Sequence, residues 1–255
     1  MKHITKNEIF LLEELVKKEF SSKYKDSVLG ILWTLLRPLL MMVILTIIFS
    51  TLFGGGISNY PIYFLCGRCM FDFFNGGNGA AMVSLKGNKN ILQRTAAPKY
   101  IFVFGGIISE ILNFMITIIV LIFVMIVTQS PFYLTMPLSI IPIISLVLMV
   151  TGLGLILSIV AAYFTDIRHL WGVISLILMY ASALFYPMDI IPEPYHQYLI
   201  LNPLYWVIDQ FRSFIYLGTI PEVTYIINSL LLSTIILVIG IIIFKKYEPK
   251  VAMKL

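Results

Sequence analysis

The sequence predicts an all-α integral membrane protein. It has six transmembrane helices, an N-terminal amphipathic helix at the membrane interface, and short re-entrant external helices between spans five and six. Three observations predict it. First, 59% of the 255 residues are apolar and only 12% are charged, against roughly 25% charged in a typical soluble domain. Second, stretches apolar enough to cross about 30 Å of hydrocarbon, roughly 20 helical residues each, recur along the whole chain. Third, when these stretches are threaded in order, every Lys and Arg except Arg68 and Arg212 falls on one side of the membrane. A mean hydropathy of +0.94 leaves too little polar surface to cover a water-soluble globule, and it excludes a disordered chain. Two cysteines exclude a secreted disulfide scaffold.

The chain, 1–255, reads as one transmembrane domain. Residues 1–27 are polar, so a basic start leading into an apolar cleavable signal segment is not expected. Thr5-Lys6-Asn7-Glu8 has capping-box spacing, in which hydroxyl and carboxylate satisfy the orphan amides of a helix start. Ile9, Leu12, Val16 and Phe20 then share one helical face, as in a helix lying along the cytoplasmic surface. A topogenic basic tail would explain the lysines but not that periodic face.

The first span, 28–53, carries Arg37 near its start. The second, 61–85, is the least apolar, with Arg68, Asp72 and a cluster of Gly and Asn. Residues 86–99 set Ile91 and Leu92 among Lys86, Lys89, Arg94 and Lys99, which fits either a plain connector or a short helix docked on a soluble partner. The third span, 100–128, has the single acid Glu110, and the spans 137–164, 170–188 and 224–244 have no charge. Helices rather than strands are expected, since an open sheet cannot satisfy its backbone in lipid and no barrel-type alternation is present. Residues 186–223 are broken by Pro187, Pro192, Pro194, Pro203 and Pro221, too often for one span, yet are too apolar for a free loop. Short helices dipping into the outer leaflet fit this segment, and so does an interfacial belt of aromatics.

The side richer in Lys and Arg is cytoplasmic, and an even number of spans puts both termini there. The net charge of +5 follows from this rule, with lipid headgroups facing the lysines, and requires no nucleic acid.

Few residues suggest chemistry. The phosphate-binding loop pattern Gly-x-x-x-x-Gly-Lys-Ser/Thr does not occur, so ATP is not expected to bind this chain by that motif. Cys66-Gly67-Arg68-Cys69 has C-x-x-C spacing but sits inside a span without the second pair of a zinc site. His3, His169 and His196 lie in different segments. No catalytic, cofactor-binding or metal residue is therefore expected. Charges within the membrane are the functional candidates. Arg68 and Asp72, four apart, share a helix face and read either as an ion pair turned into the bundle or as part of a conduit. Glu110 and Asn113 point to a polar conduit or a second subunit. Gly76, Gly77 and Gly79 suit close helix packing better than phosphate binding.

The stretch Tyr24-Lys25-Asp26-Ser27-Val28-Leu29-Gly30-Ile31-Leu32-Trp33-Thr34-Leu35-Leu36-Arg37-Pro38-Leu39 resembles the permease subunits of ABC-2-type polysaccharide exporters, which move lipid-linked O-antigen, capsule or teichoic acid. The resemblance continues at Asn90-Ile91-Leu92, Pro98-Lys99, Tyr163-Phe164-Thr165-Asp166-Ile167, Asn202-Pro203 and Arg212. Thr165 stands where the family usually has arginine, and 66–72 is more polar than its common pattern.

The resemblance implies a homodimer in the cytoplasmic (inner) membrane. Its six-helix halves enclose a conduit driven by two copies of a separate ATP-binding subunit, which carries the ATP and Mg. This chain would be a transport subunit, not an enzyme, and would hold no cofactor. The 86–99 loop would match the coupling helix, with Lys89, Asn90, Ile91, Leu92, Gln93 and Arg94 meeting the ATPase and Ile91–Leu92 as the anchor. Segment 186–223 would match the helices that close the external gate. The conduit or gate candidates are Trp33, Arg68, Asp72, Glu110, Tyr186, Tyr205, Trp206 and Arg212. The rival readings are an ABC-2 drug or lipid exporter, a membrane enzyme handling polyprenyl phosphates, and an ion-coupled transporter. The enzyme would need clustered Asp, His or Arg, and the ion-coupled transporter would need more intramembrane acids and an internal repeat.

Overall fold

The computed structural model describes residues 6–24, 29–52, 57–94 and 97–254. Thr5 of the expected capping box and residues 25–28 of the first-span motif lie outside them. The described residues form α1 (Lys6–Tyr24), α2 (Leu32–Leu52), α3 (Tyr60–Gly87), α4 (Lys89–Arg94), α5 (Tyr100–Val127), α6 (Ile140–Tyr163), α7 (Ile167–Tyr180), α8 (His196–Ile200), α9 (Pro203–Arg212) and α10 (Val223–Lys254), with no strand among them. Among the described residues, four helical stretches are both long and apolar enough to cross a membrane: Leu32–Phe49, Tyr100–Val127, Met136–Tyr163 and Val223–Val251. The 28 residues of α3 are long enough but carry a polar face, and α7 has only 14 residues.

The polarity of α3 has a structural cause. It is the central helix, packed against α2, α5, α6, α7 and α9, and Phe64, Met70, Phe74 and Leu85 on it are fully buried. A helix enclosed by protein does not need a lipid-facing apolar surface. Its small residues set the spacing. A Cβ on Gly77 would fall 2.5 Å from Val150 of α6, and the Cβ of Ala81 lies within 2.9 Å of one built on Gly154. The closest pairing is between α6 and α10, where Gly152 and Gly240 bring the two backbones together; a Cβ at Gly152 would sit 2.6 Å from the Ile236 carbonyl.

Polar ties define the two ends of the bundle. At one end Lys18 of α1 donates to the Asn88 side chain (2.7 Å), Lys86 donates to Thr165 (3.0 Å), and the Lys99 amide donates to Glu248 (3.2 Å). At the other end Asn59 donates to Thr128 (3.0 Å), Thr135 donates to the Phe214 carbonyl (2.8 Å), and Tyr216 donates to the Ser58 carbonyl.

Three sequence expectations need adjustment. In α1 the inward face is Leu11, Leu12 and Leu15, with Leu15 buried against Gly105 of α5, whereas Ile9 is exposed. Packing on a neighbouring helix, rather than periodicity alone, sets that rotation. On its exposed side, the Glu14 carboxylate accepts a 2.9 Å hydrogen bond from Lys17 and raises the pKa of that ammonium. The stretch 170–188 is helical only to Tyr180, because the carbonyls that follow turn inward to hydrogen-bond partners on α3 and α9. Finally, α10 does not stop at Phe244 but runs on to Lys254, burying Val251.

Candidate functional site

The predicted site residues fall into three places. The first is the α3–α4 junction. Asn88 is buried, accepts from Lys18, donates to the Ser84 carbonyl (2.9 Å), and offers its own carbonyl to the amides of Ile91 and Leu92. It thereby fixes the angle at which α4 leaves α3. Lys89, Asn90, Gln93 and Arg94 are exposed on α4. Ile91 and Leu92, expected to anchor a partner, are half-buried and pack in part against this chain's own core. The face α4 presents outward is therefore polar and basic.

The second place is a cavity of about 740 Å³. Trp33, Arg37 and Met41 line it from α2; Arg68, Asp72 and Asn75 from α3; Glu110, Asn113 and Thr117 from α5; Ser175 and Met179 from α7; and Lys23 from α1. Trp33, Arg68, Asp72 and Glu110, singled out from sequence, thus converge on one site. Arg68 Nε donates to Asp72 Oδ2 at 2.8 Å, so the residues read as an ion pair do form one, and the pair also lines the cavity. The Asp72 side chain keeps 42% exposure against 16% for Arg68, which turns the carboxylate toward the open space. Glu110 accepts from Asn113 (2.9 Å) and from Lys23 of α1. The Lys23–Glu110 ion pair had no sequence signal, since 87 residues separate the partners. Gly76 makes room for it: a Cβ there would lie 3.0 Å from the Glu110 carboxyl group. Charged pairs in an apolar bundle are held by mutual neutralisation, and here both pairs face the same void.

The third place is the segment after α7. Arg212, placed by sequence in an external loop, is only 4% exposed. Its guanidinium donates to the carbonyls of Ala183 (2.9 Å), Leu184 (2.9 Å) and Tyr63 (3.3 Å), and its Cζ lies 3.8 Å from the Tyr63 ring centroid. The five donors of a guanidinium suit this fork of carbonyls. The hydroxyl of Tyr63 donates to Tyr186 (2.8 Å) and Ala183 (3.2 Å), and that of Tyr60 donates to Phe185 (3.1 Å). Asn202 caps α9 by accepting from Leu204 N and donates to the Ala181 carbonyl (3.1 Å), with Pro203 in the first turn where no amide is needed. Tyr186 donates to the Tyr180 carbonyl, Trp206 donates to the Ile200 carbonyl (2.7 Å), and Tyr205 reaches Met188 sulfur (3.1 Å). All four gate candidates of this segment therefore spend their polar atoms on holding it together, and none lines the charged cavity. A turn of π-helix, Ser213–Leu217, ends at Gly218 with φ +69°, where the Tyr133 ring occupies the space a Cβ would need. Beside it a second, uncharged cavity of about 620 Å³ is lined by Ser58, Asn59, Thr128, Gln129, Tyr133 and Tyr216. Cys66 and Cys69 are buried free thiols in α3, with Cys69 Sγ donating to the Cys66 carbonyl (3.3 Å).

The family profile of the ABC-2 type transporters matches residues 11–216, a stretch that includes both the short helix α4 and the prolyl, aromatic segment after α7. The chain belongs to the ABC-2 type transporter family. This ABC-2 chain is similar along nearly its whole length to curated relatives. The O-antigen export system permease protein RfbA of Klebsiella pneumoniae is 27% identical over 245 residues, 95% of this chain and 93% of that protein. The polysialic acid transport protein KpsM of Escherichia coli is 22% identical, with 93% of each chain covered. The capsule polysaccharide export inner-membrane protein CtrC of Neisseria meningitidis serogroup A is 20% identical, covering 93% of this ABC-2 chain and 91% of the relative.

Proposed function

We propose that this chain is the transmembrane permease subunit of an ABC exporter that carries a lipid-linked polysaccharide of the O-antigen, capsule or teichoic-acid type outward across the cytoplasmic membrane. The observation that carries the reading is the end-to-end similarity to permeases named for O-antigen and capsule export. In this reading α2, α3, α5, α6 with its leading turn, α7 and α10 are the six spans, and α1 and α4 lie on the cytoplasmic side with both termini. The charge pattern supports that orientation, since Lys17, Lys18, Lys86, Lys89, Arg94, Lys245 and Lys246 then share the cytoplasmic face. Two copies of the chain pair, and each receives one ATP-binding subunit, on which ATP and Mg reside.

The exposed apolar faces of α2 and α7, including Leu40, Val43 and Ile44 on one and Val173, Leu176 and Ile177 on the other, are available to lipid or to the second copy. A stroke delivered to the basic outer face of α4 is passed on through Asn88, to which Lys18 ties α1, and through Lys86, which ties α3 to Thr165 at the turn between α6 and α7. At the far end Arg212 joins α9 to the turn after α7 and to α3, so movement of α7 is carried into the external segment. The chain performs no bond chemistry in this scheme.

The test is purification of the tagged chain from native membranes in mild detergent, together with deletion of its coding sequence. A stoichiometric soluble subunit with a phosphate-loop motif, and loss of surface glycan on deletion, are the expected results. Surface glycan unchanged by the deletion would reject the assignment.

A further inference from the structure

The uncharged cavity of about 620 Å³ lies at the end of the bundle away from α4. Three stretches far apart in the chain wall it: Ser58 and Asn59 ahead of α3, residues from Thr128 to Tyr133 after α5, and Tyr216 with Leu217 in the π-helical turn. Side-chain bonds hold these walls to one another. Asn59 Nδ2 donates to Thr128 Oγ1 at 3.0 Å, Thr128 Oγ1 donates to the Val124 carbonyl at 2.8 Å, and the Tyr216 hydroxyl donates to the Ser58 carbonyl. Just beyond, Thr135 ties the stretch after α5 to the Phe214 carbonyl at 2.8 Å. Walls fixed in this way spare a ligand the cost of ordering them.

Within that fixed frame some polar groups are left unspent. The side-chain ends of Gln129, Ser130 and Tyr133 form no hydrogen bond among the described residues. Gln129 has φ +52° and Asn59 has φ +49°, so two of the three non-glycine residues with positive φ among the described residues border this one cavity. Such backbone is uncommon outside glycine and gathers at binding sites. No residue lines both this cavity and the charged one. Along α3, Arg68 of the charged cavity lies nine residues beyond Asn59, about 14 Å.

The lining narrows the class of ligand. An ion finds no countercharge among the lining residues, and an acyl chain would strand their amides and hydroxyls. The side chains of Gln129, Ser130 and Tyr133 each both donate and accept, as sugar hydroxyls do. Tyr133 and Tyr216 add flat apolar rings with a polar edge. The volume falls in the range, roughly 300–1,000 Å³, of cavities that enclose a drug-sized ligand, which is room for more than one sugar unit.

We infer that this cavity is an external carbohydrate site that takes uncharged sugar units of the exported chain once they have left the bundle. The inference rests on the glycan-export reading, which puts this end outside the cytoplasm. Gln129, Ser130 and Tyr133 make the hydrogen bonds, while Tyr216, committed to Ser58, serves as wall. Neutral contacts of this kind are individually weak, so the site slows the return of an emerged segment without holding the chain against export.

The test uses the full chain, purified with its ATP-binding partner, in nanodiscs. Saturation-transfer NMR follows titration with short oligosaccharides cut from the surface polysaccharide of the producing strain, and separately with glycerophosphoglycerol, a bilayer-lipid headgroup. Gln129→Gly with Ser130→Ala should weaken oligosaccharide binding about tenfold, the loss of two neutral hydrogen bonds. Glycine suits φ +52°, so the backbone there is kept. Leu134→Ala, at a side chain 99% exposed nearby, should change nothing. Unchanged binding in the double variant overturns the inference. Glycerophosphoglycerol bound as tightly, with the same loss in the double variant, overturns it in favour of a lipid-headgroup site. Should the double variant fail to fold, benzoylphenylalanine placed at Leu217 in exporting cells decides instead. Glycan adducts at Leu217 and not at Leu134 support the site, and adducts at neither, or equally at both, reject it. The glycan-export reading fails separately, if surface glycan survives deletion of the chain, whatever the titration gives.

Discussion

Arg212 offers the sharpest test of how the segment after α7 is held. Replacing it with leucine withdraws hydrogen bonds from three carbonyls and a cation from the Tyr63 ring. Their consequences differ. The Tyr63 carbonyl lies inside α3 and keeps its helical donor, and the Ala183 carbonyl keeps the Tyr63 hydroxyl. The Leu184 carbonyl loses the one side-chain donor that reaches it, in a residue whose exposure is 0%. Stranding one buried acceptor costs about 1–3 kcal/mol, and each of the other two bonds about 1 kcal/mol. The stacked guanidinium adds about 1 kcal/mol, so the total is about 5 kcal/mol. At about 2–4 °C per kcal/mol for a chain of this size, thermal unfolding in nanodiscs should shift down by about 10–20 °C. Arg212→Lys keeps the charge but not the fork and should lose more than half as much. Limited proteolysis should find residues 181–202 cleaved first in both variants. Variants that melt within about 2 °C of the wild type, or a lysine variant that matches it, would refute the carbonyl-clamp argument.

Other substitutions probe the remaining contacts. Gly240→Ala forces apart the backbones of α6 and α10 at Gly152 and should cost about 3 kcal/mol; its effect is read from the same melting experiment, with Gly79→Ala, whose Cβ meets nothing within 4 Å, as the neutral comparison. Arg68→Leu alone should destabilise more than Arg68→Leu with Asp72→Leu, because the single change strands a carboxylate in the cavity, and additive losses would reject the pairing. Exchanging the partners in Lys23→Glu with Glu110→Lys should restore the packing of α1 on α5 that either single change loosens, as measured by hydrogen exchange in α1. Lys89→Glu with Arg94→Glu should lower the amount of ATP-binding subunit retained on purification while leaving the melting temperature unchanged. Ile91→Asp should lower both, since Ile91 also packs on the core.

The resemblance in the first span and the family profile over 11–216 point to the same class of protein, so the broad assignment was accessible from residues alone. Particular positions show where that access ended. Ile91 and Leu92 are an apolar pair in a basic loop, and their partial packing on the core became visible only with the placement of α4. Arg212 reads as an exposed loop charge because the carbonyls it binds lie 28, 29 and 149 residues away. Thr165 stands as a departure from a familial arginine, and the structure gives it a partner of its own in Lys86. Arg37 was visible as a charge near the start of a span, but only the tertiary structure set it beside the paired cations Lys23 and Arg68, with no ion pair of its own among the described residues.

Local sequence dictated the all-helical character, the long apolar stretches, and the i,i+4 pairing of Arg68 with Asp72. These depend on local composition, on spacing along one helix, and on the cost of leaving backbone or charge in hydrocarbon. Tertiary structure alone decided that α3 is the enclosed centre, that α1 leans on α5 through Leu15 and Lys23, and that the chain after α7 folds back around Arg212. Those outcomes rest on which carbonyls, carboxylates and glycines from distant segments meet. Hydropathy and spacing carry no record of such encounters, because each partner is satisfied only by a group that the packing of the helices brings within reach.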